Sequence, residues 1–280
     1  MTLMELESDS SKLMLIWTFE NDFDRFSKKS AELYTRLIGY TGTGSLLECL
    51  KKLDYAIEIS CNLSTDICTP FRCIKFELEL TQTGIQNIQK LLSFIFEYLS
   101  IVRDEWFAEP DTICFFQEMK TMSSLNYQMY RVPDPASYTS ALSQAMIFTQ
   151  DMSRVLQDVY EDAVFAEVDL EDCKRFATEC SYERCKVIFA GKGLLSAGKI
   201  TADQAEIKVE KWFSSKYTTC KKPENLHELF MSLFLDNAWY SAVRNIEQPR
   251  PNRFVPQDTT SIVHVTKRKS KNDAPEEIKF

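Results

Sequence analysis

The chain has few residues that could hold a catalytic metal or act as a catalytic base. Its only histidines are His227 and His264. Glu228 follows His227, but a zinc-binding helix of the type H-E-x-x-H needs a second histidine at position 231, which is Met231 here. His227 is therefore predicted to be a surface helix residue, and His264 to occupy a partly exposed strand. No serine is framed as G-x-S-x-G. We expect no catalytic residues and no metal ligand set in this chain.

Nine cysteines are the other candidate ligands. Two triplets share a spacing: Cys61, Cys68, Cys73 and Cys173, Cys180, Cys185. A tetrahedral thiolate zinc site needs four ligands, and the C-x-x-C pairs typical of such sites are missing from the sequence. We favour buried, apolar thiols, with a metal or redox module as the alternative. The N-terminus has no secretory pattern, so reduced thiols and a cytoplasmic location are expected.

A glycine turn, Gly42-Thr43-Gly44-Ser45, is the most distinctive short motif. It lacks the lysine of a phosphate-binding loop, and Leu47 takes the last glycine position of G-x-G-x-x-G. Two glycines before a helix let the backbone turn tightly and let another chain approach closely. The motif is therefore either a simple turn between helices or a backbone platform for a peptide.

The elements that must position this turn follow from hydrophobic periodicity. Strict alternation over 74–80 predicts a strand with one buried face, and Tyr55, Ile57 and Ile59 alternate in the same way. Continuous apolar runs predict buried strands at 13–19 and 185–191. Helical spacing predicts helices at 27–39, from 46, at 84–100, from 110, from 135, at 153–160, at 169–180 and within 224–236. Residues 209–217 fit helical and extended templates equally well.

This order of elements predicts an α+β fold, with an antiparallel or mixed sheet and helices packed mainly on one face. Prolines accumulate after residue 220, which indicates a domain of residues 1–218 followed by a linker and the start of another domain at 219–280. The net charge of −8 argues against nucleic acid as a partner. No apolar run approaches the roughly 18 residues that would span a bilayer, so no membrane partner is expected.

Several segments, in order, resemble the insulin-degrading (insulinase) type of zinc metallopeptidase. The most specific is Leu37-Ile38-Gly39 with Gly42-x-Gly44-Ser45-Leu46-Leu47. Phe76-Glu77-Leu78-Glu79-Leu80-Thr81-x-x-Gly84 resembles the family strand that leads into a long helix. The segments Lys211-Trp212-Phe213 and Asn252-Arg253-Phe254-Val255-Pro256 resemble the exit from the second family domain into the third. The resemblance covers about residues 13–257.

The resemblance implies a role without catalysis. The family has four homologous α+β domains around a closed chamber, and its H-x-x-E-H zinc motif lies in the first domain. The second domain, matched here, would wall the chamber and dock peptide substrates by strand addition. The implied docking residues are Gly42, Gly44, Ser45, Tyr55, Ile57 and Ile59. Zinc is expected in the family's first domain and no cofactor in this chain. The implied partners are a peptide substrate and either the remaining domains or a catalytic partner subunit.

The chain departs from the family pattern at two single positions and in one four-residue segment. Tyr40 stands where relatives tend to have histidine, and Cys49 where they have a glutamate that can bind a substrate amino terminus, although Glu48 is adjacent. Ser60-Cys61-Asn62-Leu63 replaces the usual glycines after the strand. The alternative function is a stand-alone, inactive family member that acts as a partner subunit. An H-x-x-E-H segment encoded upstream of Met1 would favour the first reading, and its absence the second.

Overall fold

The structure, a computed structural model, describes residues 1–7, 9–20, 29–64, 71–128, 134–148, 152–155, 168–195, 206–233 and 246–255. Two compact units emerge. The first comprises residues 1–114 and 167–250, and the second comprises residues 115–166 and 251–280. These units are defined by compactness, whereas the accumulation of prolines placed the boundary at 218–219, so that boundary stays a prediction.

A seven-stranded mixed sheet organises the first unit. Its strands are β1 (Thr2–Glu5), β2 (Lys12–Glu20), β3 (Ala56–Ser64), β4 (Phe71–Leu80), β5 (Lys186–Gly191), β6 (Lys208–Val209) and β7 (Lys216–Thr219). Their spatial order is β3-β4-β2-β5-β1-β7-β6. The pair β1–β5 is parallel, and the other five pairs are antiparallel. The predicted α+β class with a mixed sheet is confirmed.

One face of the sheet is the core of this unit. Register places buried side chains in rows that cross the strands, because residues in register share a face. One row runs through Ile59, Leu78, Leu13, Phe189 and Leu3, all of them buried. The alternation seen in the sequence of β2 and β4 therefore marks the buried face correctly.

The opposite face of β4 is largely charged, and that of β2 combines Lys12 and Glu20 with Met14 and Ile16. The Lys12 ammonium lies 2.8 Å from the Glu77 carboxylate on the neighbouring strand, and Lys75 lies 2.6 Å from the same group. The Lys12 hydrogen bond, followed by that of Lys75, holds the pKa of Glu77 below its ordinary value. A face of this kind faces water, as expected of an antiparallel sheet with one buried side.

The helices lie where periodicity predicted them, with one difference. They are α1 (Ser30–Ile38), α2 (Leu46–Lys52), α3 (Gln82–Gln86), α4 (Ile88–Asp104), α5 (Pro110–Gln128), α6 (Pro135–Phe148), α7 (Leu170–Glu179) and α8 (Leu226–Leu233). The single helix predicted at 84–100 is two helices, because Asn87 leaves the helical conformation. Short 3₁₀ turns occupy Trp106–Ala108 and Met152–Arg154. No described helix is long and apolar enough to cross a membrane.

The ambiguous segment near residue 210 is a β-hairpin, formed by β6 and β7. The Glu210 carboxylate accepts hydrogen bonds from the N–H groups of Trp212 (2.8 Å) and Phe213 (2.6 Å), which fixes the turn. The Phe213 N–H, followed by that of Trp212, holds the pKa of Glu210 below its ordinary value. Both aromatic side chains are strongly exposed at the tip.

Lys222 ties the segment that precedes β5 to the chain beyond β7. Its ammonium donates to the carbonyl oxygens of Tyr182 (2.7 Å), Glu183 (3.0 Å) and Cys185 (3.1 Å). It also lies 4.7 Å from the centre of the Tyr182 ring. Hydrogen bonds from a charged donor are stronger than neutral ones, so this lysine holds the 182–185 loop in place.

We expect Lys222→Met to lower the free energy of unfolding by about 2 kcal/mol, because three carbonyls lose a charged donor. The matched control is Lys221→Met, which removes the same charge from the exposed neighbouring position. Urea unfolding followed by circular dichroism measures both. Equal midpoints for the two variants would contradict the assigned role.

The described part of the second unit is mainly helical, with a turn at residues 252–255. It contains the C-terminal part of α5, α6 and the 3₁₀ turn at Met152–Arg154. Within this unit, the Asn252 N–H donates to the Glu118 carboxylate at 2.6 Å. The helix predicted at 153–160 lies largely outside the described residues.

Candidate functional site

The glycine turn connects α1 to α2 and has a conformation that requires glycine. Gly44 has φ +78°, a region that side chains rarely adopt. Ser45 caps α2: its hydroxyl accepts from the Glu48 N–H at 3.2 Å. The Glu48 carboxylate in turn accepts from the Gly44 N–H at 2.6 Å. This is a variant of the reciprocal capping box, in which the glutamate reaches one residue beyond the cap.

Glu48 is therefore occupied by its own helix. Besides the Gly44 N–H, its carboxylate contacts the Lys52 ammonium at 2.9 Å. These two groups, Gly44 first, hold the pKa of Glu48 below its ordinary value. Cys49, at the position where relatives have an amine-binding glutamate, is fully buried, and burial raises the pKa of its thiol to about 11. Neither residue offers an uncommitted carboxylate for a peptide amino terminus.

The strand β3 lies at one end of the sheet, and among the described residues its only strand partner is β4. The helices on both sides of the glycine turn pack against it. A Cβ added to Gly39, at the end of α1, would lie 2.9 Å from the Cβ of Cys61 on β3. Beyond α2, the Tyr55 N–H donates to the Leu50 carbonyl at 2.8 Å. The sheet edge and the turn thus belong to one local structure.

The three predicted docking side chains of this edge do not share one face. Tyr55 and Ile59 are buried, whereas Ile57 is 52% exposed. The pairing of β3 with β4 shifts between Ala56 and Glu58, which leaves Ile57 as the extra residue of a β-bulge. The simple alternation predicted for this strand is therefore wrong at Ile57. Its side chain is the one of the three that a docked peptide could reach.

The bulge has an identifiable cause at the start of the strand. The Tyr55 carbonyl accepts from the Thr81 N–H at 3.2 Å. Gly84 packs directly over that carbonyl, since an added Cβ would lie 2.1 Å from its oxygen. The Thr83 hydroxyl donates to the Asp54 carboxylate at 2.8 Å. These contacts fix the chain just before the Ala56–Leu80 pair, and the register of the rest of the strand begins at Glu58.

A contact that sequence reasoning missed covers the turn. The Gly44 carbonyl accepts from the Glu247 N–H at 2.9 Å. An added Cβ on Gly44 would lie 2.8 Å from the Cβ of Glu247. No local pattern joins residues so far apart in the chain; the glycine itself was the only signal that another backbone comes close.

His227 lies on a mixed polar and apolar cleft of about 660 Å³ between α4, the end of α7 and α8. Its Nδ1 is 3.2 Å from the Glu97 carboxylate, and the imidazole is mostly exposed, as the sequence predicted for a surface helix residue. His264 lies outside the described residues. Among the residues that the structure describes, no three His, Cys, Asp or Glu side chains are grouped to hold a metal.

The described cysteines are free thiols. Burial raises the pKa of Cys173 and of Cys185 to about 12, and raises those of Cys61 and Cys180 as well. Protonated, buried thiols are poor nucleophiles and poor ligands. Cys68, a member of the first triplet, lies outside the described residues.

No protein-family model matches the chain. Curated relatives do match it along most of its length. A "Nardilysin-like" protein of Arabidopsis thaliana is 24% identical over 266 residues, which are 91% of this chain and 23% of the relative. The "A-factor-processing enzyme" of Saccharomyces cerevisiae is 23% identical over 254 residues, which are 88% of this chain and 22% of the relative. The chain thus spans about a quarter of the length of these relatives.

A solved structure shares the fold. The crystal structure of pitrilysin matches 92% of this chain and 25% of its own chain, with a TM-score of 0.70 and 16% sequence identity. An "Insulin-degrading enzyme homolog" of Dictyostelium discoideum is 26% identical over 143 residues, half of this chain and 14% of the relative.

Proposed function

This chain is a member of the insulinase family and matches part of its relatives' length. We propose that it is a chamber-forming, peptide-docking part of a zinc metalloendopeptidase. It would carry no catalytic group of its own. The observation that carries the proposal is β3, a nine-residue strand at the end of the sheet, flanked by the two helices of the glycine turn.

A terminal strand can bind a peptide by its main chain. Alternate N–H and C=O groups of such a strand point away from the sheet and can pair with an extended ligand, with little dependence on its side chains. At the start of β3, the exposed Ile57 adds an apolar contact. Both features suit a chamber that accepts peptides of varied sequence. The cytoplasmic location stays part of this proposal.

The zinc site of the family would be supplied by other domains of a longer chain or by a catalytic partner subunit. The sequence has two histidines and no H-x-x-E-H segment. At His227, the one described imidazole, the residue one helical turn further on is Met231, so a second imidazole is missing. These residues do not fit a family zinc site. Stoichiometric zinc in the purified chain, with chelator-sensitive cleavage of a peptide, would overturn the non-catalytic role.

We expect Ile57→Asp to weaken the binding of a peptide to the chain about tenfold, since losing half of an isoleucine's apolar burial costs about 1.4 kcal/mol. The probe is fluorescein-labelled insulin B chain, measured by fluorescence anisotropy. The control is Ile207→Asp, because Ile207 is 53% exposed and lies beside β6, towards the other end of the sheet. Equal losses in both variants would refute docking at β3.

A further inference from the structure

The glycine turn already holds a second backbone segment, and that segment belongs to the chain itself. We call residues Ile246–Arg250 the strap. The Glu247 N–H of the strap donates to the Gly44 carbonyl at 2.9 Å. The two backbones are so close that a Cβ on Gly44 would lie 3.2 Å from the Glu247 nitrogen. The strap therefore makes the close approach that the paired glycines permit.

The strap is held at further points, so its position does not depend on one hydrogen bond. Pro249 is buried. The hydroxyl of Thr112, a fully buried residue at the start of α5, donates to the Gln248 side-chain oxygen at 3.2 Å. Arg250 pairs with Glu247 inside the strap itself, so this exposed ion pair does not hold the strap to the turn. The Glu247 N–H and the Gln248 side-chain amide each have a hydrogen-bond partner, and Pro249 is buried.

These contacts are of the kind that a docked peptide would make. Strand-like ligands bind through main-chain hydrogen bonds, with pockets for selected side chains. We propose that the strap is an internal ligand of the glycine turn, and that it competes with any peptide that extends from β3 onto Gly44. The turn and the start of α5 together would select segments that carry a glutamine directly after the donor N–H. This inference rests on the proposed function.

A peptide can bind only those molecules in which the strap is released. Its apparent affinity is therefore its intrinsic affinity multiplied by the released fraction. If the strap is released in about one molecule in ten, removing it raises the apparent affinity about tenfold. The gain in affinity can thus be measured with variants of the strap alone, while every residue of β3 stays as in the wild type.

Glu247→Pro tests the proposal, because proline has no N–H to donate to Gly44. The matched control is Glu247→Ala, which keeps the N–H and the Cβ and removes only an exposed ion pair of little energetic value. Anisotropy titration with fluorescein-labelled insulin B chain should show about tenfold tighter binding to Glu247→Pro and unchanged binding to Glu247→Ala. Gln248→Ala, which loses the Thr112 contact, should bind about threefold tighter.

The outcomes separate the two proposals. If the wild type and all three variants bind the B chain equally, or if Glu247→Pro binds it more weakly, the strap is no competitor, while the proposed function is left to the separate test by Ile57→Asp. If no variant binds the B chain at all, the proposed function fails. In addition, a synthetic Ile-Glu-Gln-Pro-Arg peptide should displace the B chain from Glu247→Pro. Failure to displace it would also overturn the inference.

Discussion

Replacing Gly84 by alanine is expected to lower the free energy of unfolding by about 3 kcal/mol or more, at the upper end of the cost of overpacking. The new Cβ would lie 2.1 Å from the Tyr55 carbonyl oxygen and 3.0 Å from its carbon. Both atoms are backbone, and the carbonyl is engaged by the Thr81 N–H. Neither side can move away without disturbing the start of β3.

The control for this prediction is Gly42→Ala. There the added Cβ would meet the hydroxyl end of the Tyr40 side chain, 2.0 Å away, and a side chain can rotate aside. We expect a loss of less than about 1 kcal/mol, as for other substitutions that the neighbours can accommodate. Chemical unfolding measured by circular dichroism compares the two variants. A larger loss for Gly42→Ala than for Gly84→Ala would contradict the packing described here.

Trp17→Ala is expected to cost about 4 kcal/mol, within the range for truncating a buried aromatic side chain. Trp17 is almost completely buried on β2, in register with Ile74 on β4. Its indole N–H donates to the Ser181 carbonyl at 2.9 Å, and its ring meets Phe96 edge to face at 6.2 Å. The one side chain thus connects the sheet to α4 and to the loop after α7.

Trp212→Ala provides the comparison, because Trp212 is 79% exposed at the tip of the β6–β7 hairpin. We expect its removal to change the unfolding free energy by less than about 0.5 kcal/mol. Trp17→Phe should lie between the two, since it keeps part of the packing and loses the hydrogen bond. Guanidinium unfolding gives all three values. The role of Trp17 would be refuted by a loss no larger than that of Trp212→Ala.

Local patterns predicted the parts of the fold that depend on burial of one face. β2 and β4 alternate because they cross the core, and α2 begins directly after Ser45, whose hydroxyl caps it by accepting from the nearby Glu48 N–H. The strand β1 was missed. It has four residues, and it forms because β5 and β7 bind it on both sides, which no local pattern records.

The candidate site was only partly predictable for the same reason. The turn and the edge strand lie in the predicted places, but the exposure of Ile57 depends on how Thr81 and Gly84 hold Tyr55. The break at Asn87 is likewise a matter of geometry, since its side chain donates to the Thr83 carbonyl at 2.9 Å. The hydrogen bond between Gly44 and Glu247 joins distant parts of the chain, so the hydrophobic periodicity of the sequence could not predict it.

The central place of β1 in the sheet has a consequence for biosynthesis. β1 pairs with β5 and β7, which are translated much later, and the Met1 carbonyl accepts from the Cys220 N–H at 2.9 Å. Contacts of such long sequence separation form slowly, because the loop between them must close first. Leu3, which is buried in the finished sheet, therefore lacks a strand partner until β5 and β7 have been translated, and exposed apolar segments are prone to aggregation in that state.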